Sequence, residues 1–71
     1  MNLNENVKKL RKKDGLTQIE MAEILKMDQS NYSKCERGLV NFSIDTIMEL
    51  ANFFDVSLDA LMGRTHNIRK L

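Results

Sequence analysis

Apolar residues in this 71-residue chain recur at helical spacing, and no stretch shows the strict alternation of a half-buried strand. Leu3, Val7 and Leu10 follow one another at intervals of four and three, which predicts a first helix from about Asn4 to Lys13. We expect it to end at Gly15, because glycine readily adopts the left-handed conformation that closes helices.

Two short helices follow, separated by a tight turn at Lys26-Met27. Thr17 and Glu20 have the spacing of a capping box, so the second helix should begin there. Asp28 is suited to cap a third helix that runs to Arg37 and stops at Gly38. The inner face of the second helix is expected to consist of three apolar residues: Met21, Ala22 and Leu25.

Two further helices are expected after Ser43 and Ser57, both good N-cap residues. Six residues should supply the apolar surface of the fourth helix: Ile44, Ile47, Met48, Leu50, Ala51 and Phe54. Three residues of the fifth helix should face inward: Leu58, Leu61 and Met62. The pattern therefore predicts an all-α fold of five helices.

The third helix has a polar outer face. At 3.6 residues per turn, five polar side chains share one side of it: Gln29, Ser30, Ser33, Lys34 and Arg37. Tyr32 and Cys35 lie opposite and should be buried. Glutamine, serine and lysine have the hydrogen-bonding groups that read base edges in the major groove of DNA. Any solvated helix is also polar outside, but the capped helix and short turn before this one favour a DNA-binding helix-turn-helix.

The composition of the chain excludes several classes of function. The chain is long enough for one domain, and its single cysteine excludes an internal disulfide. It has no run of eighteen apolar residues and no apolar leader segment, so we expect a cytoplasmic protein without a membrane contact. We find no nucleophile–base pair, phosphate loop or metal-ligand cluster, so no enzyme activity, metal or cofactor is expected.

Charge is unevenly distributed. Residues 8–13 contain five basic side chains, whereas residues 38–63 contain none and carry four acidic ones. A surface that meets phosphate should be basic. The first half of the chain is therefore the better candidate for contact with a nucleic acid.

Three segments in combination carry a family resemblance: LRKKDGLTQIEMAEIL, MDQSNYSKCERG and SIDTIMELANFFDVSLDAL. They resemble the phage-repressor helix-turn-helix proteins, that is, the Cro and lambda-repressor-like domains of XRE type. The resemblance covers about residues 3–63 and implies a compact five-helix domain whose second and third helices form the helix-turn-helix. It also implies binding to a palindromic double-stranded DNA operator as a homodimer. We expect residues 1–63 to form this domain and residues 64–71 to be a short tail.

The resemblance implies a role for ten residues. Four would contact bases: Gln29, Ser30, Ser33 and Lys34. Four would contact phosphate: Gln18, Asn31, Arg37 and Asn41. Arg11 and Glu36 would form a buried salt bridge between the first and third helices. For Arg37, a solvated helix end is an equally good interpretation.

Two positions depart from the family pattern. Lys26 stands where the turn usually has glycine, and a left-handed conformation there would cost about 1–2 kcal/mol. Phe42 stands where the loop often has proline. With Leu39 and Val40 it makes this loop unusually apolar, so these side chains either pack on the core or join a dimer contact.

The sequence thus predicts a sequence-specific DNA-binding transcriptional regulator, in the first place a repressor that occupies its operator. The alternative is an antitoxin-like module that binds a protein partner as well as DNA. In that case the acidic, apolar-rich fourth and fifth helices would form the protein-binding surface.

Overall fold

Five helices make up the described part of the chain, residues 2–64, in this computed structural model. They are α1 (Leu3–Lys13), α2 (Gln18–Leu25), α3 (Gln29–Glu36), α4 (Ile44–Phe54) and α5 (Leu58–Leu61). The predicted all-α, five-helix fold is confirmed. The predicted tail lies outside the described residues apart from its first residue, Arg64.

Each helix begins at a polar side chain that accepts a hydrogen bond from a backbone N–H of the first turn. These N-caps are Asn2, Thr17, Asp28, Ser43 and Ser57. The four caps named from the sequence are confirmed, and Thr17 and Glu20 form the expected capping box. α1 starts one residue earlier than predicted because Asn2 and Glu5 form a second capping box.

One apolar core lies between the helices. Its largest fully buried side chains come from all five of them: Val7, Met21, Tyr32, Leu50, Phe54 and Leu61. Phe42 joins this core from the loop before α4, and its ring centroid lies 6.0 Å from that of Tyr32. Its neighbours Leu39 and Val40 stay exposed. The loop is therefore packed against the core through Phe42, whereas Leu39 and Val40 face solvent.

The expectation that Leu58 and Met62 face inward is wrong, and two of the apolar residues expected on the surface of α4, Ile44 and Met48, are also exposed rather than buried. Ile44 is 77% exposed, Met48 51%, Leu58 47% and Met62 39%. Apolar residues in α4 occupy more of the circumference than the core can cover, and Leu50, Ala51 and Phe54 already fill the inner side. The pattern identified an apolar helix but not which part of its apolar surface is buried.

α3 is held by packing on both neighbours in space. It packs against α2 and α1, while α1 also packs against α5. The Asn4 side-chain amide donates to the Glu36 carbonyl at 3.3 Å, and the buried Asn6 amide donates to the Leu61 carbonyl at 2.9 Å. These bonds fix α1 to the end of α3 and to α5. None of the helices within residues 2–64 is long and apolar enough to span a bilayer.

Candidate nucleic-acid interface

The turn between α2 and α3 is tight and strained. Lys26 adopts the left-handed conformation, with φ 57° and ψ 41°. Two backbone bonds close the turn, from Lys26 N to the Glu23 carbonyl at 3.1 Å and from Met27 N to the Ala22 carbonyl at 2.8 Å. The partly buried Met27 packs against the core. This geometry orients α3 relative to α2, at the cost of a non-glycine residue with positive φ.

The outward face of α3 carries most of the predicted base-contacting side chains. Gln29, Ser30 and Lys34 are exposed, whereas Ser33 is half-buried beside them. Tyr32 and Cys35 are buried on the opposite side, as the helical pattern predicts. The structure thus brings four polar side chains together on a rigid helix, with donors and acceptors suited to base edges.

A buried polar network lies beneath this face, centred on the Glu36 carboxylate. Arg11 contacts it through two donors, Nε to Oε2 at 2.8 Å and Nη2 to Oε1 at 2.9 Å. The Tyr32 hydroxyl also donates to Oε2, and the Gln18 amide donates to Oε1 at 3.0 Å. The third Arg11 donor, Nη1, binds the Leu16 carbonyl at 2.7 Å. One carboxylate therefore connects α1, α2 and α3.

The network sets the charge state of its members. Burial raises the pKa of Glu36, but the hydrogen bonds from Arg11, Tyr32 and Gln18 outweigh it and hold that pKa below its usual range. The hydrogen bond to Glu36 raises the pKa of Arg11. Burial, followed by the hydrogen bond to Glu36, raises the pKa of the Tyr32 hydroxyl. At neutral pH the centre is thus an ion pair capped by a neutral phenol.

Gln18, which was expected to contact phosphate, is half-buried at the start of α2 and bound to Glu36. Its amide nitrogen has two hydrogens and uses one of them in this bond. The bond also determines which way the amide points, because Glu36 is held by Arg11 and can only accept. The other amide hydrogen is available to a phosphate, and helix N-termini attract anions.

The other three predicted phosphate-contacting residues are exposed and lie along α3 and the loop after it. Asn31 lies in the first turn of α3, Arg37 is the C-cap of α3, and Asn41 lies in the following loop. The Cys35 thiol donates weakly to the Asn41 carbonyl across 3.8 Å. Burial raises the pKa of that thiol, so Cys35 behaves as a small apolar residue that supports the loop.

Several polar contacts were not anticipated from the sequence. They are the bonds made by Asn4, Asn6, Gln18 and the Tyr32 hydroxyl. Asn6 could have been found, because it lies on the inner side of α1 between apolar residues, and a buried amide must find a partner. The others depend on which helices become neighbours in space. Within residues 2–64 no group of three or more His, Cys, Asp or Glu is placed to hold a metal ion.

Comparison with known proteins agrees with this geometry. A family model described as Helix-turn-helix matches residues 7–61. The chain is 37% identical over 70 residues to the HTH-type transcriptional regulator ImmR of Bacillus subtilis (strain 168), covering 99% of this chain and 55% of that protein. It is 36% identical over 62 residues to the SPbeta prophage-derived uncharacterized HTH-type transcriptional regulator YonR of the same organism, covering 87% and 57%.

The chain spans little more than half the length of these relatives. The family match, in contrast, covers most of the chain and includes the α2–turn–α3 unit with its exposed α3 face. The chain therefore belongs to the helix-turn-helix family, whose second motif helix enters the major groove of DNA.

Proposed function

We propose that this chain is a sequence-specific, double-stranded-DNA-binding transcriptional regulator that represses by occupying an operator. The observation that carries the proposal is the exposed polar face of α3, which is held by a buried ion pair and preceded by a tight turn. The relatives named as transcriptional regulators support the general role. The family assignment places the chain among DNA-binding proteins rather than enzymes, and a DNA partner supports the cytoplasmic location expected from the sequence.

In this proposal α3 reads sequence from the major groove. Gln29 is the first residue of α3 and suits a bidentate contact with adenine, while Lys34, five residues further on, suits guanine O6 and N7. Ser30 and Ser33 have hydroxyls that donate or accept, so they fit several bases. The residues nearest the start of the helix should reach deepest, because recognition helices contact bases with their N-terminal residues.

Phosphate contacts fix the position of the protein on the duplex. Gln18 would donate its second amide hydrogen at the start of α2, next to the backbone N–H groups of that helix. Asn31, Arg37 and Asn41 would contact the strands beside α3. These contacts supply affinity without sequence information, and the binding should weaken as salt rises.

A homodimer would match a palindromic operator with half-site centres about 34 Å apart. The candidate contact is an apolar stripe on α4 and α5, here called the α4–α5 stripe and defined as Ile44, Met48 and Leu58. Met48 and Leu58 line one shallow depression of about 480 Å³, and Ile44 lies one helical turn before Met48. Covering these exposed apolar side chains with a second surface removes them from water, which stabilises the complex. Residues 1–63 would form the DNA-binding unit.

The alternative function, a module that binds another protein as well as DNA, draws on the same stripe. Its surroundings are acidic, since Asp59 lines the same depression and the exposed Asp45 and Glu49 directly follow Ile44 and Met48 in α4. Carboxylates around an apolar strip complement a partner helix with an apolar face and basic flanks. A second copy of this chain would bring like charges together, so the acidic rim specifically favours this alternative.

Selection of bound sequences from a random duplex library at near-physiological salt tests the proposal. An enriched inverted repeat with centres about one helical turn apart would support a dimeric, sequence-specific regulator. Enrichment of a single half-site would keep sequence-specific binding and remove the homodimer. No enrichment would overturn the proposal and leave the protein-binding alternative, which co-purification with a partner would then test.

A further inference from the structure

The N-terminus of α3 is closed by a carboxylate. Asp28 accepts hydrogen bonds from Ser30 N at 3.1 Å and Asn31 N at 3.4 Å, and both bonds go to the same oxygen, Oδ2. Free N–H groups at a helix N-terminus ordinarily attract phosphate. Here the negatively charged Asp28 carboxylate already occupies these N–H groups. The N-terminus of α3 therefore repels a DNA phosphate instead of attracting it.

The second oxygen of this carboxylate, Oδ1, has no hydrogen-bond partner among residues 2–64. The Asp28 side chain is exposed and makes no ion pair there. The cap bonds to Oδ2 hold the carboxylate at the leading end of α3, immediately before Gln29. An acceptor without a donor therefore lies where the helix-turn-helix brings protein closest to base edges.

The donors of the major groove determine what such an acceptor can bind. Only cytosine N4 and adenine N6 present hydrogens there, and adenine places the N7 acceptor next to its amino group. A carboxylate gains a bond from either amino group but is repelled by N7. Cytosine is therefore the base that fits Oδ1 best.

From this geometry we infer that Asp28 is a specificity-determining residue that selects cytosine at the base pair facing the first turn of α3 and weakens non-specific binding to the DNA backbone. The inference rests on the proposed function, because it assumes that α3 enters the major groove. In this inference Asp28 acts partly by repelling the phosphates of non-specific DNA. Repulsion of the wrong partner is a common way to gain specificity.

Asp28→Asn is the sharpest variant. Asparagine caps helices as well as aspartate does and would use its one carbonyl oxygen for the Ser30 and Asn31 N–H groups. The outward atom then changes from an acceptor to an amide donor. The preference for cytosine should be lost by roughly tenfold in relative affinity, and a base that presents an acceptor, guanine or thymine, should replace it.

Two further variants complete the test. Asp28→Ser keeps a cap but has no second acceptor, so the same position should become indifferent to base. Asp55→Asn is the matched control, because it removes one exposed carboxylate from the turn between α4 and α5. Its left-handed conformation, with φ 55°, suits asparagine. It should keep the selected sequence of the wild type.

Library selection with the four proteins, followed by titration of a scrambled duplex at several salt concentrations, gives the readout. Support is a wild-type cytosine that changes in Asp28→Asn and disappears in Asp28→Ser, with tighter scrambled-duplex binding in both than in Asp55→Asn. Identical selected sequences for the wild type and both Asp28 variants overturn the inference and leave the proposed function intact. No selected sequence for the wild type overturns both.

Discussion

At the scale of single residues, Lys26 bears the clearest local strain. Its left-handed conformation is one that glycine adopts without cost, whereas a lysine Cβ makes it unfavourable. The side chain is exposed, so removing it should sacrifice little packing. Lys26→Gly should therefore raise the free energy of unfolding by about 1 kcal/mol, after the greater freedom of glycine in the unfolded chain is subtracted.

Thermal and urea unfolding measure this effect, and an increase in Tm of about 4–8 °C is expected for a domain of this size. Lys26→Ala is the control, because it removes the same side chain but keeps the Cβ, and it should not stabilise the fold. Equal effects of the two substitutions would show that the lysine side chain, and not the backbone conformation, is responsible.

A second residue-scale prediction concerns Gln29, the first residue of α3. Gln29→Ala removes a side chain that is exposed and makes no contact needed for folding, so stability should stay unchanged. Affinity for the selected operator should fall by about 1–3 kcal/mol, and the preference at one base pair per half-site should relax. Affinities for all single-base variants of the operator check this. A uniform loss across the variants would instead assign Gln29 to a phosphate.

At the scale of helices, the Glu36 network is what keeps α3 in place on α1 and α2. Arg11→Met would leave the carboxylate buried without its cation and should lower the free energy of unfolding by about 3–5 kcal/mol. The double variant Arg11→Met/Glu36→Gln removes both charges and still offers an oxygen to the Tyr32 hydroxyl. It should be more stable than Arg11→Met alone, as measured by urea unfolding. A less stable double variant would contradict this account.

The same network predicts how stability depends on pH. The pKa of Glu36 in the folded protein lies below its ordinary value of about 4.3, so the carboxylate stabilises the fold above that pH. This contribution is lost as the pH falls through the lower, folded-state pKa. Urea unfolding between about pH 5 and pH 2 should show a steeper loss of stability for the wild type than for Arg11→Met/Glu36→Gln. Equal slopes would exclude Glu36 as the group responsible.

Features that depend on neighbouring residues could be predicted from the sequence. Contacts between helices that are distant in the sequence could not. Caps at Thr17 and Asp28 follow from side-chain chemistry within four residues, and the buried side of α3 follows from helical periodicity. The bond from Gln18 to Glu36 joins residues 18 positions apart, and no local pattern encodes it. Ile44 was expected to contribute to the apolar surface of its helix, and it does, but hydrophobicity alone does not distinguish a core from an exposed surface.

At the scale of the whole molecule, basic residues and the α4–α5 stripe are separated along the chain. The α1 segment is basic, the outer face of α3 is polar with Lys34 and Arg37, and no basic residue occurs from 38 to 63. A negatively charged duplex is therefore attracted to the first half of the chain, while the carboxylates and the apolar stripe of α4 and α5 lie in the second half. DNA binding and protein association would then use different surfaces, so a substitution on one should leave the other intact.

That separation makes the homodimer testable with Ile44→Asp. The residue is 77% exposed in the first turn of α4, where an added carboxylate is favourable to the helix, so folding should be unaffected. If the α4–α5 stripe is the dimer contact, sedimentation equilibrium should show a shift toward monomer. Affinity for the palindrome should fall by at least about tenfold, while the half-site base preferences persist because α3 is unchanged.

Leu39→Asp is the matched variant for the alternative dimer contact, because it places the same charge on an exposed apolar residue of the loop between α3 and α4. A monomer produced by Ile44→Asp alone assigns the contact to the stripe, and one produced by Leu39→Asp alone assigns it to the loop. A wild type that stays monomeric on the palindrome excludes both. The exposed stripe would then be left to a different protein, and its acidic rim makes a basic partner helix the first candidate to test.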